Sequence, residues 1–268
     1  MKITLPKHFL GKSVAGTLER VLAGTPTSTP TSSTTPPSIV TTPTITDPQN
    51  YIILPGTIHG KYTYPQLLVS MTITHKNKNW NDTHAALAAE QASMLSPRQF
   101  VDFLNLLQRG NSAYDGLGKK LSKKKCDAIL DEIWTVRDPW RAEWFDAKFE
   151  SRGGLAGIGT KLFINYGHTF QNNTVTPTHS EELTGYLAND KTPGIDKDDW
   201  LAKATVHGLP NPSISDGQLY YWHPHNGKVA GFYANSVWAS LYCGWDPSYT
   251  DARLGVRAAR EKNIRIKL

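Results

Sequence analysis

Cysteine is scarce: Cys126 and Cys243 are the only two in 268 residues. A disulfide framework, or a structural zinc site built on paired Cys/His spacing, needs more than that, so stability has to come from packing. Long apolar runs are missing too. None approaches the roughly 18 residues that a membrane-spanning helix requires. Residues 1–24, MKITLPKHFLGKSVAGTLERVLAG, hold no uninterrupted apolar stretch, so no secretory signal is read there. Cytoplasmic, virion and cell-surface locations all stay open. A Gly-rich phosphate loop and a nucleophile elbow are also lacking, which removes the commonest phosphate-transfer and acyl-transfer readings. What the chain does contain is 39% hydrophobic residues, enough to bury a sizeable core, together with eight tryptophans and eleven tyrosines.

A net charge of +6 raises the question of nucleic acid, because clustered Lys and Arg neutralise phosphates. The basic residues concentrate in Lys119-Lys120-Leu121-Ser122-Lys123-Lys124-Lys125, beside an Asp115-Gly116 turn and with no aromatic residue interleaved. That pattern reads as the solvated start of a helix, so a nucleic-acid partner is not expected.

Three segments follow from composition. Residues 1–23 form a short N-terminal segment, either an amphipathic helix around Val14, Leu18, Val21 and Leu22 or without fixed structure. Residues 24–48 are Thr, Pro and Ser with almost nothing to bury, the composition of an extended linker. Residues 49–268 form the body. There Leu67-Leu68-Val69-Ser70-Met71 reads as a buried strand or short helix, since periodicity does not separate the two. Asp82 or Thr83 is expected to cap a helix over His84 to Glu90, and Ser96-Pro97 to start a second whose buried stripe is Phe100, Phe103, Leu104 and Leu107. A third helix is expected near Ser122 to Trp134 and a fourth near Asp196 to Ala204. Lys161 to Tyr166 and Gln218 to Trp222 read as strands. The class is α+β.

The segment Val229-Ala230-Gly231-Phe232-Tyr233-Ala234-Asn235-Ser236 alternates, with Ala, Phe, Ala and Ser at even positions. That is a strand with two different faces. In Ala239-Ser240-Leu241-Tyr242-Cys243-Gly244 the small and apolar residues move to odd positions, so a turn or bulge near Val237-Trp238 must switch the phase. Phe232, Ala234, Ser236, Leu241, Cys243 and Val256 are then inward. Tyr233, Asn235, Val237, Trp238, Ser240, Tyr242, Gly244, Trp245, Asp246, Ser248 and Tyr249 face outward, and Gly231 and Asp251 complete the candidate ligand-binding set. Exposing so many aromatics costs solubility unless they bind something. Tyr, Trp, Ser, Gly, Asn and Asp are also the palette of antibody combining sites, where aromatics give rigid contact area and small polar residues give adaptable hydrogen bonds.

Leu219-Tyr220-Tyr221-Trp222, Val229-Ala230-x-Phe232-x-Ala234-x-Ser236, Ala239-x-Leu241-x-Cys243 and Leu254-Gly255-Val256-Arg257 together resemble the variable proteins of diversity-generating retroelements, those of archaeal and viral origin most of all. The resemblance spans about residues 51–257. It implies a C-type lectin-like fold of the formylglycine-generating-enzyme subtype, with short helices packed on small antiparallel sheets, and a C-terminal region of about residues 229–253 that binds an unknown protein ligand. In that family a reverse transcriptase, acting on the gene rather than the protein, randomises template adenines, mostly in Asn-type codons. Adenine changes in an Asn codon never give Lys, Glu, Gln or Met, and none of these occurs in residues 229–253. Trp238, Trp245 and Gly231 fit adenine-initial arginine codons.

Other constellations have blander readings. Trp80-Asn81-Asp82 matches the tripeptide that supplies calcium ligands in animal C-type lectins, but its companion Glu-Pro-Asn loop is absent and a helix follows. Formylglycine-generating enzymes bind copper through a thiolate pair, which Cys243 alone does not supply. His223-Pro224-His225 shows no third metal ligand in sequence and reads as a surface turn. Asp196-Lys197-Asp198-Asp199-Trp200 reads as a helix cap, and Trp140-Arg141-Ala142-Glu143-Trp144 as an aromatic and ion-pair framework under the binding strands. No catalytic residue, metal or cofactor is assigned, and the chain is expected not to be an enzyme. The alternatives are an oxidoreductase on the same fold and a basic nucleic-acid or structural adaptor.

Overall fold

In the computed structural model, residues 8–9, 12–13 and 47–262 are described, apart from 111 and 155–158. The chain divides into two units, Met1–Thr42 and Pro43–Leu268. In the first, β1 (His8–Phe9) pairs antiparallel with β2 (Lys12–Ser13). The expected helix around Val14 to Leu22 and all of the expected linker up to residue 46 lie outside the described residues.

The second unit opens with a short 3-10 turn, Pro48–Asn50, and four strands: β3 (Tyr51–Leu54), β4 (Thr57–His59), β5 (Tyr62–Tyr64) and β6 (Leu67–Ser70). Helix α1 (Trp80–Ala89) follows, then β7 (Ser93–Met94), α2 (Pro97–Gln108) and α3 (Lys123–Trp134). Three long strands come next, β8 (Arg141–Arg152), β9 (Lys161–Gln171) and β10 (Thr174–Glu182), then β11 (Lys191–Ile195) and α4 (Lys197–Lys203). The chain continues through β12 (Leu219–Trp222), β13 (Val229–Ala234), β14 (Ala239–Trp245), β15 (Leu254–Gly255) and β16 (Ala258–Glu261).

Helix starts follow the capping residues. Ser96 caps α2 in a reciprocal box with Gln99, Pro97 sits in the first turn, and Phe100, Phe103, Leu104 and Leu107 are buried as expected. Ser122 caps α3, and Asp196 caps α4. Helix α1 starts earlier than Asp82 or Thr83: Asn79 is its cap and accepts from the Asp82 amide. The reason is tertiary. Trp80 is buried, its backbone N–H donates to the Pro247 carbonyl at 3.0 Å, and its indole donates to the Phe145 carbonyl at 2.9 Å.

Among the described residues the class is α+β, with four helices and several sheets. The principal sheet has eight strands, larger than the small antiparallel sheets expected. Its order is β10-β9-β8-β13-β14-β12-β11, with β15 pairing β8 in parallel. A second parallel pairing, β12 with β14, arises because the β13–β14 hairpin inserts between β8 and β12. A four-stranded sheet, β3-β6-β16-β7, and the β4–β5 hairpin complete the unit. Successive residues of β8 point to opposite faces. Phe145, Ala147 and Phe149 join a large core with Phe100, Phe103, Trp200 and Phe232, whereas Ala142 and Trp144 join a smaller one with Trp80, Leu254 and Val256. Beside β13, in register with Phe232 and not under the strand as expected, Glu143 of β8 is fully buried and accepts from Arg141 at 2.9 Å and Arg257 at 3.2 Å in an ion-pair framework.

Candidate ligand-binding surface

Strands β13 and β14 form a hairpin with Ala234 opposite Ala239, Tyr233 opposite Ser240 and Gly231 opposite Tyr242. Asn235 builds the turn that switches the phase. Its amide donates to the Trp238 carbonyl at 3.0 Å, and its side-chain oxygen accepts the amides of Val237 at 2.8 Å and Trp238 at 2.9 Å. Alternation sends Phe232, Leu241 and Cys243 into the large core. Burial raises the Cys243 thiol far above its ordinary value, so it behaves as a small apolar side chain.

The opposite face carries the aromatics. Tyr220 stacks flat on Trp238 with ring centroids 4.7 Å apart, and the Trp238 indole donates to the Tyr233 hydroxyl at 2.8 Å. Tyr242 meets Trp222 edge-on at 5.7 Å, Tyr233 at 6.0 Å and Trp245 at 5.4 Å. Trp245 is wedged further, against Trp144 at 5.4 Å and Tyr249 at 5.0 Å. Between these rings lies an open cleft of about 420 Å³ lined by Trp222, Tyr233, Tyr242, Gly244, Trp245 and Tyr249, with Lys228 and Asp246 at its polar edge, paired at 3.0 Å. Hydrogen bonds from the Ser248 hydroxyl and amide, then the Lys228 ammonium, hold the Asp246 carboxyl well below its usual range. Burial, and then Tyr233, raise the Tyr242 phenol.

The proposed set therefore divides. Val237, Asp246, Ser248 and Tyr249 are exposed, while Tyr233, Asn235, Trp238, Tyr242, Gly244, Trp245 and Asp251 are half-buried. Two positions depart from the outward reading. Gly231 is buried because Trp245 packs over it: a Cβ there would meet the Glu143 carbonyl oxygen at 2.8 Å and Trp245 Nε1 at 3.2 Å. Ser240 is 0% exposed, roofed by the rings around it, and its hydroxyl has no partner among the described residues. Ser236, expected inward, is exposed, since the strand ends at Ala234 and Ser236 falls in the turn. Asp246 and Asp251 serve the local backbone: Asp246 accepts the Ser248 amide at 3.0 Å, and Asp251 accepts the Arg253 amide and guanidinium, each at 2.8 Å.

Tyr220 and Trp222 lie outside the candidate ligand-binding set expected from the sequence. Their signal was the alternation of Leu219-Tyr220-Tyr221-Trp222, in which Tyr221 and Leu219 are buried and Tyr220 and Trp222 turn to the other face. Their place beside Ser240 and Tyr242 depends on the parallel pairing of β12 with β14, which nothing local announces. The structure also supplies the third group that the sequence did not offer His223 and His225. Asp190 accepts from the His223 ring at 2.7 Å and from its amide at 2.9 Å, and the two imidazole rings lie 4.1 Å apart, at the surface. Trp80-Asn81-Asp82 forms the first turn of α1, and Lys123 to Lys125 the exposed first turn of α3. No family model, curated protein or solved structure matches this chain.

Proposed function

We propose that this chain is a non-enzymatic, protein-binding module of C-type lectin-like build, and that a diversity-generating retroelement rewrites its residues 229–253. The observation that carries the proposal is the aromatic cleft on one face of β12, β13 and β14. Its rings come largely from the segment whose composition obeys the adenine-codon restriction, while the other face of the same strands is core. A binding protein rewritten in bulk needs that separation, because surface changes usually stay within about 0.5 kcal/mol and core changes cost about 2–5 kcal/mol. The cleft suits protruding side chains of a protein partner, since large aromatics at the centre of an interface contribute most of the affinity.

The first experiment is to sequence around the gene. A reverse transcriptase and a template repeat matching the codons of residues 229–253 except at adenines would support the reading, and mismatches spread over all four bases would end it. The second uses a binder selected from a displayed protein library. Trp238→Ala and Tyr242→Ala should each weaken that complex at least tenfold while the melting temperature stays close to that of the parent protein. Equal binding by both variants would remove the cleft from the interface.

A further inference from the structure

Two buried carboxylates of β8 are neutralised in different ways. Glu143 sits between the guanidinium groups of Arg141 and Arg257. Asp146 is 4% exposed, and among the described residues only imidazoles pair with it. His168, from β9, binds it twice: its amide donates to Oδ2 at 3.1 Å and its ring Nδ1 bonds Oδ1. His84, from α1, points Nε2 at the same Oδ1 from 3.9 Å, beyond hydrogen-bond reach. That nitrogen is buried and has no partner among the described residues, so it carries its full desolvation penalty. One ligand-capable atom from each of the three residues lies within 4.8 Å of the others. Trp80 packs edge-on against both imidazoles, with centroids 4.3 and 4.8 Å away, which fixes the rings on α1 and β9 relative to β8.

We propose that His84, Asp146 and His168 form a structural site for one divalent transition-metal ion of the zinc type. Two imidazole nitrogens and a carboxylate oxygen are a donor set that zinc accepts, whereas calcium and magnesium favour oxygen alone. The ion answers both irregularities at once, giving His84 Nε2 an acceptor for its lone pair and Asp146 a cation. Tetrahedral coordination with zinc's bond lengths keeps ligand atoms about 3.3 Å apart. His84 Nε2 then closes on Asp146 Oδ1 from 3.9 Å by about half an ångström, and the His168 ring backs away from Oδ1 and releases its proton to solvent. The amide of His168 keeps its bond to Oδ2 throughout, so strand register is undisturbed. Burial leaves the fourth position to a trapped water, which makes the ion a clamp between α1, β8 and β9. The site shares no residue with the aromatic cleft and stands or falls independently of it.

The test begins with full-length protein unfolded and refolded in chelator, then again with zinc or cobalt. The expected result is one ion per chain by elemental analysis and a melting temperature about 5–10 °C higher at a hundredfold excess over Kd. Cobalt should add visible absorption bands of a four-coordinate site. His84→Phe keeps ring volume but removes the unpartnered nitrogen; it should fold in chelator at least as stably as the parent chain and show neither bands nor shift. The double variant His223→Ala/His225→Ala, which dismantles the surface cluster with Asp190, should behave as the parent. Retention of metal and shift by His84→Phe, or their loss in the surface double variant, would place the ion elsewhere. Refolded protein with no metal and one melting temperature in chelator and in zinc would show the pocket to hold water or nothing.

Discussion

Two glycines within the proposed variable region have opposite latitude. A Cβ at Gly231 would meet backbone, the Glu143 carbonyl oxygen at 2.8 Å, as well as Trp245 Nε1 at 3.2 Å. A Cβ at Gly244 would meet only the far end of the Tyr242 ring, at 3.3 Å. Gly231→Val should therefore cost about 1–3 kcal/mol in denaturant unfolding, through overpacking against atoms that do not move, while Gly244→Ala should cost less than about 1 kcal/mol. Equal costs would show that Trp245 yields as readily as Tyr242. Ser240 presents the reverse problem, a buried hydroxyl without a partner. Ser240→Ala removes the unmet polar group and is expected to leave stability unchanged or raise it by up to about 1 kcal/mol. A loss larger than that would mean the hydroxyl is bonded through buried water.

At the scale of the element, β8 carries the framework on which the binding hairpin rests. Burial on its own would raise the Glu143 carboxyl, but the charges of Arg257 and Arg141 outweigh it and hold the group below its usual range. A carboxyl with a depressed folded pKa releases its proton more readily in the native state. Its contribution is fully present above the unfolded value of 4.5 and is lost as pH falls through the lower folded value. Glu143→Gln should lower stability at neutral pH by about 1–3 kcal/mol, because the buried Arg141 and Arg257 guanidinium groups lose one of their two counter-charges and keep only Glu132, which pairs with each at 3.1 Å. Its unfolding free energy should also fall less steeply than that of the parent chain from about pH 5 to pH 3. Parallel pH profiles would assign the acid sensitivity to other carboxylates.

The whole molecule separates a fixed scaffold from an adaptable face through sheet order. Placing the β13–β14 hairpin between β8 and β12 gives its inner side chains a core already built by other strands, and of its outer side chains Tyr233 and Trp245 pack against the smaller core. Randomising Val237, Trp238, Tyr242, Ser248 and Tyr249 together should give variants most of which melt within about 5 °C of the parent, corresponding to changes of about 1–2 kcal/mol. Broad unfolding across the library would make these residues structural. Trp245 is left out because it is packed among Trp144, Tyr242 and Tyr249 and over Gly231.

What the sequence determined by itself was local. Capping residues located the helix starts at Ser96 and Asp196, and alternation separated Phe232, Leu241 and Cys243 from Tyr233 and Tyr242, because these signals act over a few residues. Tertiary structure decided where contact spans long separations. Asn79 caps α1 because Trp80 is anchored at Phe145 and Pro247, and Ser240 is covered because β12 pairs in parallel beside it. Asp190 reaches His223, and Asp146 lies between His84 and His168, only after strands and helix are assembled. Periodicity reports which way a side chain points; what then covers, pairs or isolates it is settled by the neighbours that packing brings.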